Sequence, residues 1–228
     1  MEELKRRAAL KALEYVEDGM VLGGGSGSTV AIFLKLLAEK VRKEDLDVTI
    51  IPTSYDVRIL ALNNGLKIAS LDEYPTPDLA IDGADEVDPN KNLIKGGGAA
   101  LLREKVVDYA AKQLVIIVDE TKIVERLCSR FPIPLEVLPF AWKTVVDRLS
   151  KMGTATVRYA KRGKVGPIMT DNGNFIVDFR PSRDLIDDLI GLNYKLLSIP
   201  GVLETGIFLG TYVDKIIVGT REGVKILR

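Results

Sequence analysis

Residues 20–29 read Met20-Val21-Leu22-Gly23-Gly24-Gly25-Ser26-Gly27-Ser28-Thr29, an apolar run that passes through glycines into hydroxyl residues. The apolar run predicts a short buried strand, and a helical pattern resumes from Ser28 to Arg42. A strand, a glycine loop and a helix in this order are typical of the first part of a β-α-β unit. This stretch therefore favours an α/β fold with a parallel sheet.

The same alternation of strand and helix continues outward from this stretch. The patterns predict helices over 3–17 and 55–63, and strands over 48–51, 79–81 and 114–118. Continuous apolar strands separated by helices indicate a Rossmann-like, mostly parallel sheet that is covered on both faces. We expect residues 1–130 and 205–228 to form this α/β catalytic domain, with the segments 215–218 and 224–227 returning to it as a hairpin.

A second, smaller domain is predicted after Phe131, where Pro132, Pro134 and Pro139 interrupt the earlier pattern. The predicted elements are a strand at 135–138, a helix at 142–151, strands at 155–159 and 175–179, a helix at 182–192 and a strand at 202–209. This β-α-β-β-α-β order predicts a ferredoxin-like α+β domain over residues 131–204.

The composition excludes several classes of function. The 228 residues contain no histidine, so a Ser-His-Asp triad and a histidine-based zinc site are both excluded. Cys128 is the single cysteine, which rules out an internal disulfide. Lys and Arg total 32, as do Asp and Glu, so nucleic acid or an anionic membrane is not expected as a partner. The chain starts with charged residues and has no long apolar run, so neither a signal peptide nor a membrane span is expected. We therefore expect a cytoplasmic location.

The glycine loop offers backbone N–H groups and hydroxyls at Ser26, Gly27, Ser28 and Thr29. The loop lacks the third glycine of a dinucleotide fingerprint, and no Walker lysine follows it. The residues that remain suit a phosphate or a sugar. The alternative is an ordinary strand-to-helix turn with Ser28 or Thr29 as its N-cap.

Two further motifs carry the groups that proton transfer needs. Asp82-Gly83-Ala84-Asp85-Glu86 follows an apolar strand, and Lys95-Gly96-Gly97-Gly98 precedes a helical pattern. The acidic motif alone could be a solvated turn, and its spacing does not fit an EF-hand. Four polar strand ends are expected to meet at the edge of the sheet where α/β folds bind ligands. These ends are Ser26–Thr29, Thr53–Ser54, Asp82–Asp85 and the stretch near Lys122.

The helix that follows Lys95 carries two charged residues whose roles the pattern leaves open. On a helical wheel Glu104 lies at the margin of the apolar arc, which is typical of a solvated edge residue. Arg103 falls inside the apolar arc, where an unpaired charge would be costly. Our hypothesis is that Arg103 pairs with a carboxylate in the interdomain or ligand region.

Six strings of the chain together resemble ribose-5-phosphate isomerase, type A, and they match in order over almost the whole chain. They are Gly25-Ser26-Gly27-Ser28-Thr29, Asp82-Gly83-Ala84-Asp85-Glu86, Lys95-Gly96-Gly97-Gly98-Ala99-Ala100 with Arg103-Glu104-Lys105, Glu136-Val137-Leu138-Pro139, Thr170-Asp171-Asn172-Gly173-Asn174 and Ile199-Pro200-Gly201-Val202. Only Ser26 departs slightly, since threonine is common at that position of the family.

The resemblance implies an aldose–ketose isomerase that interconverts D-ribose 5-phosphate and D-ribulose 5-phosphate through a cis-enediolate, without a metal or organic cofactor. It implies that Glu104 is the base and that Asp82, Asp85 and Lys95 handle oxygen protons and charge. The implied substrate-binding residues are Ser26, Gly27, Ser28, Thr29, Asp82, Gly83, Ala84, Asp85, Lys95, Gly96, Gly97, Gly98 and Lys122.

The family's habit also suggests a homodimer or a homotetramer. Phe140, Trp142, Ile207 and Phe208 could form its interface or could equally be ordinary core residues.

Alternative functions are another sugar-phosphate enzyme or coenzyme A transferase of the same superfold, and a sugar-phosphate-binding sensor. The absence of histidine disfavours a sugar-phosphate deaminase, since members of that class resemble one another in using histidine. A first strand near Met20 leaves no room ahead of it for a DNA-binding motif, which disfavours the sensor.

Overall fold

The computed structural model describes residues 1–161, 163 and 165–227. The helices are α1 (Glu2–Ala12), α2 (Ser28–Glu44), α3 (Tyr55–Asn63), α4 (Leu101–Ala110), α5 (Trp142–Leu149) and α6 (Leu189–Leu197). The strands are β1 (Val21–Gly24), β2 (Thr49–Pro52), β3 (Lys67–Ile68), β4 (Leu79–Asp82), β5 (Glu86–Val87), β6 (Leu93–Ile94), β7 (Leu114–Asp119), β8 (Ile133–Val137), β9 (Gly153–Val157), β10 (Phe175–Pro181), β11 (Val202–Thr205), β12 (Ile207–Phe208), β13 (Lys215–Thr220) and β14 (Gly223–Leu227). None of the helices in these ranges combines the length and the apolar character needed to cross a membrane.

The chain forms two compact units. The first consists of Met1–Ala84, Arg103–Ile123 and Gly210–Arg228, and the second of Asp85–Leu102 and Val124–Leu209. Residues 85–102, 124–130 and 205–209 group with the second unit here, whereas the sequence pattern assigned them to the first domain. The domain boundaries drawn from the sequence stay a prediction.

The first unit is built on a seven-stranded sheet with the order β14-β13-β7-β4-β1-β2-β3. Its neighbours pair in parallel except for β13 and β14, which form an antiparallel hairpin. Every residue of β7 is buried, as expected for a central strand whose two faces are both covered. The predicted mostly parallel sheet and the returning C-terminal hairpin are confirmed.

Helix α4 packs closely on strand β1 because Gly23 has no side chain. A Cβ at Gly23 would stand 2.6 Å from Cγ1 of Val107 in α4, well inside van der Waals contact. The close approach fixes the height of α4 over the sheet and thereby the position of the residues in its first turn.

The second unit contains a four-stranded antiparallel sheet with the order β11-β8-β10-β9. With α5 between β8 and β9, and α6 between β10 and β11, this is the ferredoxin-like arrangement that the sequence predicted. Ile133, Leu135 and Val137 of β8 belong to its apolar core. Side chains alternate along a strand, so Glu136 lies on the opposite face of the sheet.

Two predicted elements of the second unit are wrong in detail. The strand predicted over 202–209 is divided, since β11 pairs with β8 while β12 pairs with β6 in a separate sheet of order β12-β6-β5. The helix predicted over 182–192 starts instead as a 3-10 turn, Arg183–Asp187, and α6 begins after it. The Asp188 side chain caps α6 by accepting a hydrogen bond of 2.9 Å from the Gly191 N–H.

Candidate active site

The predicted site residues are distributed over both compact units. The first unit holds Ser26, Gly27, Ser28, Thr29, Asp82, Gly83, Ala84, Glu104 and Lys122, and the second holds Asp85, Lys95, Gly96, Gly97 and Gly98.

Asp82 ends β4 and is fully buried against the loop that follows β1. Its Oδ1 accepts hydrogen bonds from the Ser26 N–H at 3.2 Å and from the Gly83 N–H at 2.6 Å. The Gly25 N–H donates to the Ile81 carbonyl at 2.9 Å, which extends the β1–β4 pairing into the loop. The Asp82 carboxylate is therefore held in place by the two backbone segments that the sequence predicted to meet.

Three hydroxyl groups meet at the ends of β1 and β2. The Ser26 Oγ lies 3.0 Å from the Thr53 Oγ1 and donates to the Ser54 Oγ at 2.9 Å. Ser54 also caps α3, because its Oγ accepts a hydrogen bond of 3.2 Å from the Val57 N–H. The predicted convergence of the Ser26–Thr29 and Thr53–Ser54 strand ends is thus present in this unit.

A lysine that the sequence motifs did not identify lies beside the N-terminus of α2. Gly27 precedes α2 with a φ of 107°, and Ser28 is the first residue of the helix. The Lys5 Nζ, from α1, donates to the Ser28 Oγ at 2.8 Å. A helix N-terminus attracts anions, and an ammonium group beside it adds a full positive charge. This end of α2 suits a phosphate group.

Glu104 is buried, with 5% of its surface exposed, in the first turn of α4. The helical-wheel interpretation of Glu104 as a solvated edge residue is therefore wrong. Its neighbours Lys105 and Asp108 are also buried, so α4 presents charged residues to its packed side. Arg103 lies over the ring of Tyr55, with its Cζ 5.4 Å from the ring centroid, which is a cation–π geometry. Pairing of Arg103 with a carboxylate stays a prediction.

Lys122 closes a short 3-10 turn, Glu120–Lys122, directly after β7. The turn is fixed by the fully buried Asp119, whose Oδ1 accepts hydrogen bonds from the N–H and the hydroxyl of Thr121. Lys122 is half-buried at this carboxyl end of the sheet. The buried Asp119 carboxylate therefore fixes the turn from which the Lys122 side chain extends.

In the second unit, Asp85 and the glycine loop are hydrogen-bonded to each other. The Asp85 Oδ2 accepts from the Gly97 N–H at 2.7 Å, and the Asp85 N–H donates to the Ile94 carbonyl at 2.8 Å. Lys95 is almost fully buried, and its Nζ lies 5.2 Å from the Phe208 ring centroid. The predicted acidic motif and lysine–glycine motif are thus brought together here.

Two other carboxylates of the predicted motifs have structural partners. Glu86 is fully buried and accepts hydrogen bonds from the backbone N–H groups of Cys128, Arg130 and Phe131. Glu136 is also fully buried, and its Oε1 accepts from the side chains of Thr170, Asn172 and Asn174 at 2.8–2.9 Å. Glu136 therefore joins the Glu136–Pro139 and Thr170–Asn174 strings through one polar network within the second unit.

Several proteins of known family and structure are similar to this chain. A family model described as ribose 5-phosphate isomerase A (phosphoriboisomerase A) matches residues 49–223. Ribose-5-phosphate isomerase A of Pyrococcus horikoshii is 49% identical over 228 residues, which are 100% of this chain and 98% of the relative.

Two solved structures are similar over the whole chain. Ribose 5-phosphate isomerase A of Methanocaldococcus jannaschii has a TM-score of 0.94 and 47% identity, covering 100% of this chain and 99% of that one. A D-ribose-5-phosphate isomerase in complex with phospho-erythronic acid has a TM-score of 0.95 and 49% identity, with coverage of 100% and 98%. The chain belongs to the ribose 5-phosphate isomerase A family.

Proposed function

We propose that this chain interconverts D-ribose 5-phosphate and D-ribulose 5-phosphate, with Glu104 as the base. The observation that carries the proposal is the burial of Glu104 in the first turn of α4, at the position that the family resemblance assigns to the base. Burial shields a carboxylate from water, and its interactions with a bound substrate are stronger in such a dry site. Membership of the family supports the same reaction.

In this mechanism Glu104 removes the proton from C2 of the open-chain aldose and a cis-enediolate forms. The same carboxyl group returns the proton to C1, which gives the ketose. One carboxylate can carry out both steps because the two carbons are adjacent and the proton stays on one face of the substrate. No net oxidation or reduction of the substrate takes place.

Asp82, Asp85 and Lys95 are proposed to move the oxygen protons and to balance the charge of the enediolate. The support is their fixed positions: Asp82 is held by two backbone N–H groups, Asp85 by the glycine loop and Lys95 by burial. Groups that are already oriented need no reorganisation when the charge develops, and a positioned hydrogen-bond donor, which here is the Lys95 ammonium group, is commonly worth about 3 kcal/mol.

The phosphate of the substrate is proposed to bind at the start of α2, with the loop 26–29, Lys5 and Lys122 as its partners. The contact between Lys5 and Ser28 places an ammonium group at that helix end. A relative binds phospho-erythronic acid, a phosphorylated sugar acid whose carboxylate resembles an enediolate in charge. A ligand of this kind suits a site that holds a phosphate at one end and an oxyanion at the other.

A homodimer or homotetramer in the cytoplasm is also part of the proposal. Phe140 is 96% exposed and Trp142 is 41% exposed, which makes them candidates for an interface. Ile207 and Phe208 are fully buried and are core residues, so they are not part of it. Light scattering of the wild type and of Phe140→Ser tests this point, because the variant is expected to shift toward smaller species.

The deciding experiment measures ketose formation from ribose 5-phosphate in excess EDTA for wild type and Glu104→Gln. We expect turnover in the wild type and a loss of at least about 1000-fold in the variant, since its amide cannot accept the proton. Glu39→Gln, at an exposed glutamate of α2, is the matched control. Phospho-erythronic acid binding checks that the variant site is intact.

Three outcomes would contradict parts of the proposal. Equal rates for wild type and Glu104→Gln would reject Glu104 as the base. Binding of phospho-erythronic acid without any turnover by the wild type would favour the sugar-phosphate sensor. Activity that disappears in EDTA and returns with a divalent metal would overturn the cofactor-free mechanism.

A further inference from the structure

We propose that Arg158 is a positioning residue, which sets the direction of the peptide groups in the loop 95–98 and so orients Asp85 and the Gly98 N–H for the reaction. This inference rests on the proposed function, because the loop matters for catalysis only if the isomerase reaction takes place there. Arg158, the loop and Asp85 all belong to the second compact unit.

The Arg158 guanidinium joins two parts of this unit. Its Nη1 donates to the Gly96 carbonyl at 2.9 Å and to the Gly97 carbonyl at 3.0 Å. Its Nε and Nη2 donate to the two carboxylate oxygens of Asp178, with 2.8 Å for the Nε contact. One planar side chain therefore binds a carboxylate in a bidentate manner and two consecutive carbonyls at once, a geometry that lysine cannot reproduce.

The guanidinium is itself held firmly. Asp178 lies in β10, and the side chains of Arg158 and Asp178 are only 18% and 21% exposed. The Arg158 backbone is also fixed, since its N–H donates to the Ile176 carbonyl and its carbonyl accepts from the Ile168 N–H, both at 2.8 Å. A partly buried, bidentate ion pair keeps its geometry better than an exposed one.

Because peptide bonds are planar, the contacts of Arg158 with the Gly96 and Gly97 carbonyls also fix the direction of the N–H groups that follow them. In a trans peptide the C=O of one residue and the N–H of the next point in opposite directions. With the Gly96 carbonyl directed at Arg158, the Gly97 N–H must point away from it, and it donates to the Asp85 Oδ2 at 2.7 Å. By the same rule, the Gly97 carbonyl contact turns the Gly98 N–H away from Arg158.

The loop 95–98 depends on a contact from outside it, because its three glycines have no side chains that could fix its conformation. Gly96, Gly97 and Gly98 have no side chains, so their peptide groups can rotate more freely than those of other residues. Without Arg158 the carbonyls of Gly96 and Gly97 would lose their common donor. The Gly97 N–H would then no longer be held in the orientation in which it donates to Asp85. A misplacement of catalytic groups by about 1 Å can cost on the order of 100-fold in rate.

The test compares Arg158→Ala with Arg180→Ala in the full-length protein. Arg180 lies on β10 and donates to the Arg130 carbonyl at 2.8 Å, so the control removes an arginine–carbonyl contact of the same unit that does not involve the loop. We expect Arg158→Ala to lower kcat by about 10- to 100-fold with a smaller change in KM, and Arg180→Ala to leave both unchanged.

Rescue separates positioning from a general loss of structure. Added guanidinium ion is expected to restore part of kcat in Arg158→Ala and to leave Arg180→Ala unaffected, because only the first variant has a guanidinium-shaped space beside two carbonyls. Arg158→Lys is expected to recover less than half of the lost activity, since its ammonium cannot bind Asp178 in a bidentate manner. Asp178→Asn keeps the shape of its side chain and is expected to lower kcat in the same direction as Arg158→Ala.

The proposal is overturned if Arg158→Ala has the kcat of Arg180→Ala, or if its loss equals the fraction of unfolded protein measured by circular dichroism. It is also overturned if guanidinium fails to rescue a folded Arg158→Ala. Failure of the proposed function looks different, because the wild type itself would then not convert ribose 5-phosphate. In that case, amide hydrogen exchange at Gly97 still reports whether Arg158 holds the loop.

Discussion

Gly25 lies directly against Asp82, and a Cβ at position 25 would stand 2.0 Å from the Asp82 Cγ. The contact leaves room for no side chain other than hydrogen. It also explains why Asp82 can accept the Ser26 N–H at 3.2 Å, since the loop passes immediately over the carboxylate. The absence of a side chain at Gly25 therefore lets the loop pass close to the Asp82 carboxylate.

We predict that Gly25→Ala abolishes most isomerase activity, because the added methyl group must displace either Asp82 or the loop. Forced overpacking of this kind costs about 1–3 kcal/mol of stability, which urea unfolding can measure. Gly83→Ala is the steric control for stability, since its Cβ would lie 3.7 Å from the nearest atom, the Ser26 carbonyl oxygen. Equal unfolding free energies for the two variants would show that the loop adapts without cost.

The sequence predicted elements whose signals are local. Helix α3 begins and ends at Tyr55 and Asn63 as predicted, because Ser54 supplies a cap and the spacing beyond it is regular. The division of the predicted strand 202–209 was missed because it depends on pairing with distant strands. Gly206 lies between β11 and β12, and a Cβ at this position would stand 2.3 Å from the Lys95 carbonyl oxygen.

Parts of the candidate site could not be predicted from the sequence, for the same reason. A helical wheel treats α4 alone, so it cannot show that packing of Val107 on Gly23 buries the side of the helix that carries Glu104. Lys5 and Ser28 are 23 residues apart, and only the packing of α1 beside α2 brings them together. Arg158 was likewise missed, since its partners at Gly96 and Gly97 are about 60 positions away along the chain.

Replacement of Lys5 by methionine is predicted to weaken binding of the substrate phosphate. We expect KM for ribose 5-phosphate and the inhibition constant of phospho-erythronic acid to rise about tenfold, with a smaller effect on kcat, because the lost ammonium group contributes to binding rather than to proton transfer. Lys11→Met removes a lysine of the same helix that pairs with Glu14 instead, and it should change neither constant. A Lys5→Met enzyme with unchanged KM would exclude this lysine from the phosphate site.

The thiol of Cys128 is predicted to react slowly with alkylating reagents. Burial raises the pKa of Cys128 to about 12, and the nearby Glu86 carboxylate adds to the increase. Only the thiolate reacts, so at pH 8 the folded protein should be modified on the order of 1000-fold more slowly than the same protein in urea. Iodoacetamide labelling followed by mass spectrometry measures both rates. Similar rates in the two states would contradict the raised pKa.

Asp78 is predicted to make the stability of the first unit depend on pH in the acidic range. The Lys112 Nζ donates to its Oδ1 at 2.7 Å and the Val21 N–H to its Oδ2 at 2.9 Å, and these contacts, the lysine first, lower the pKa of Asp78. A carboxyl group whose pKa is lower in the folded state stabilises the protein above its unfolded-state pKa. The contribution disappears as the pH falls through the folded-state pKa.

The variant Asp78→Asn tests this dependence. Near pH 7 it should be less stable than the wild type by about 1 kcal/mol, a modest value because the Lys112 side chain is exposed and salt screens the pair. The difference should shrink once the pH is below the folded-state pKa of Asp78, where the wild-type carboxyl group is itself neutral. Urea unfolding between pH 3 and pH 7 gives both curves, with Asp72→Asn as a control at an exposed position nearby. A difference that stays constant over this range would mean that Asp78 acts through its shape and not through its charge.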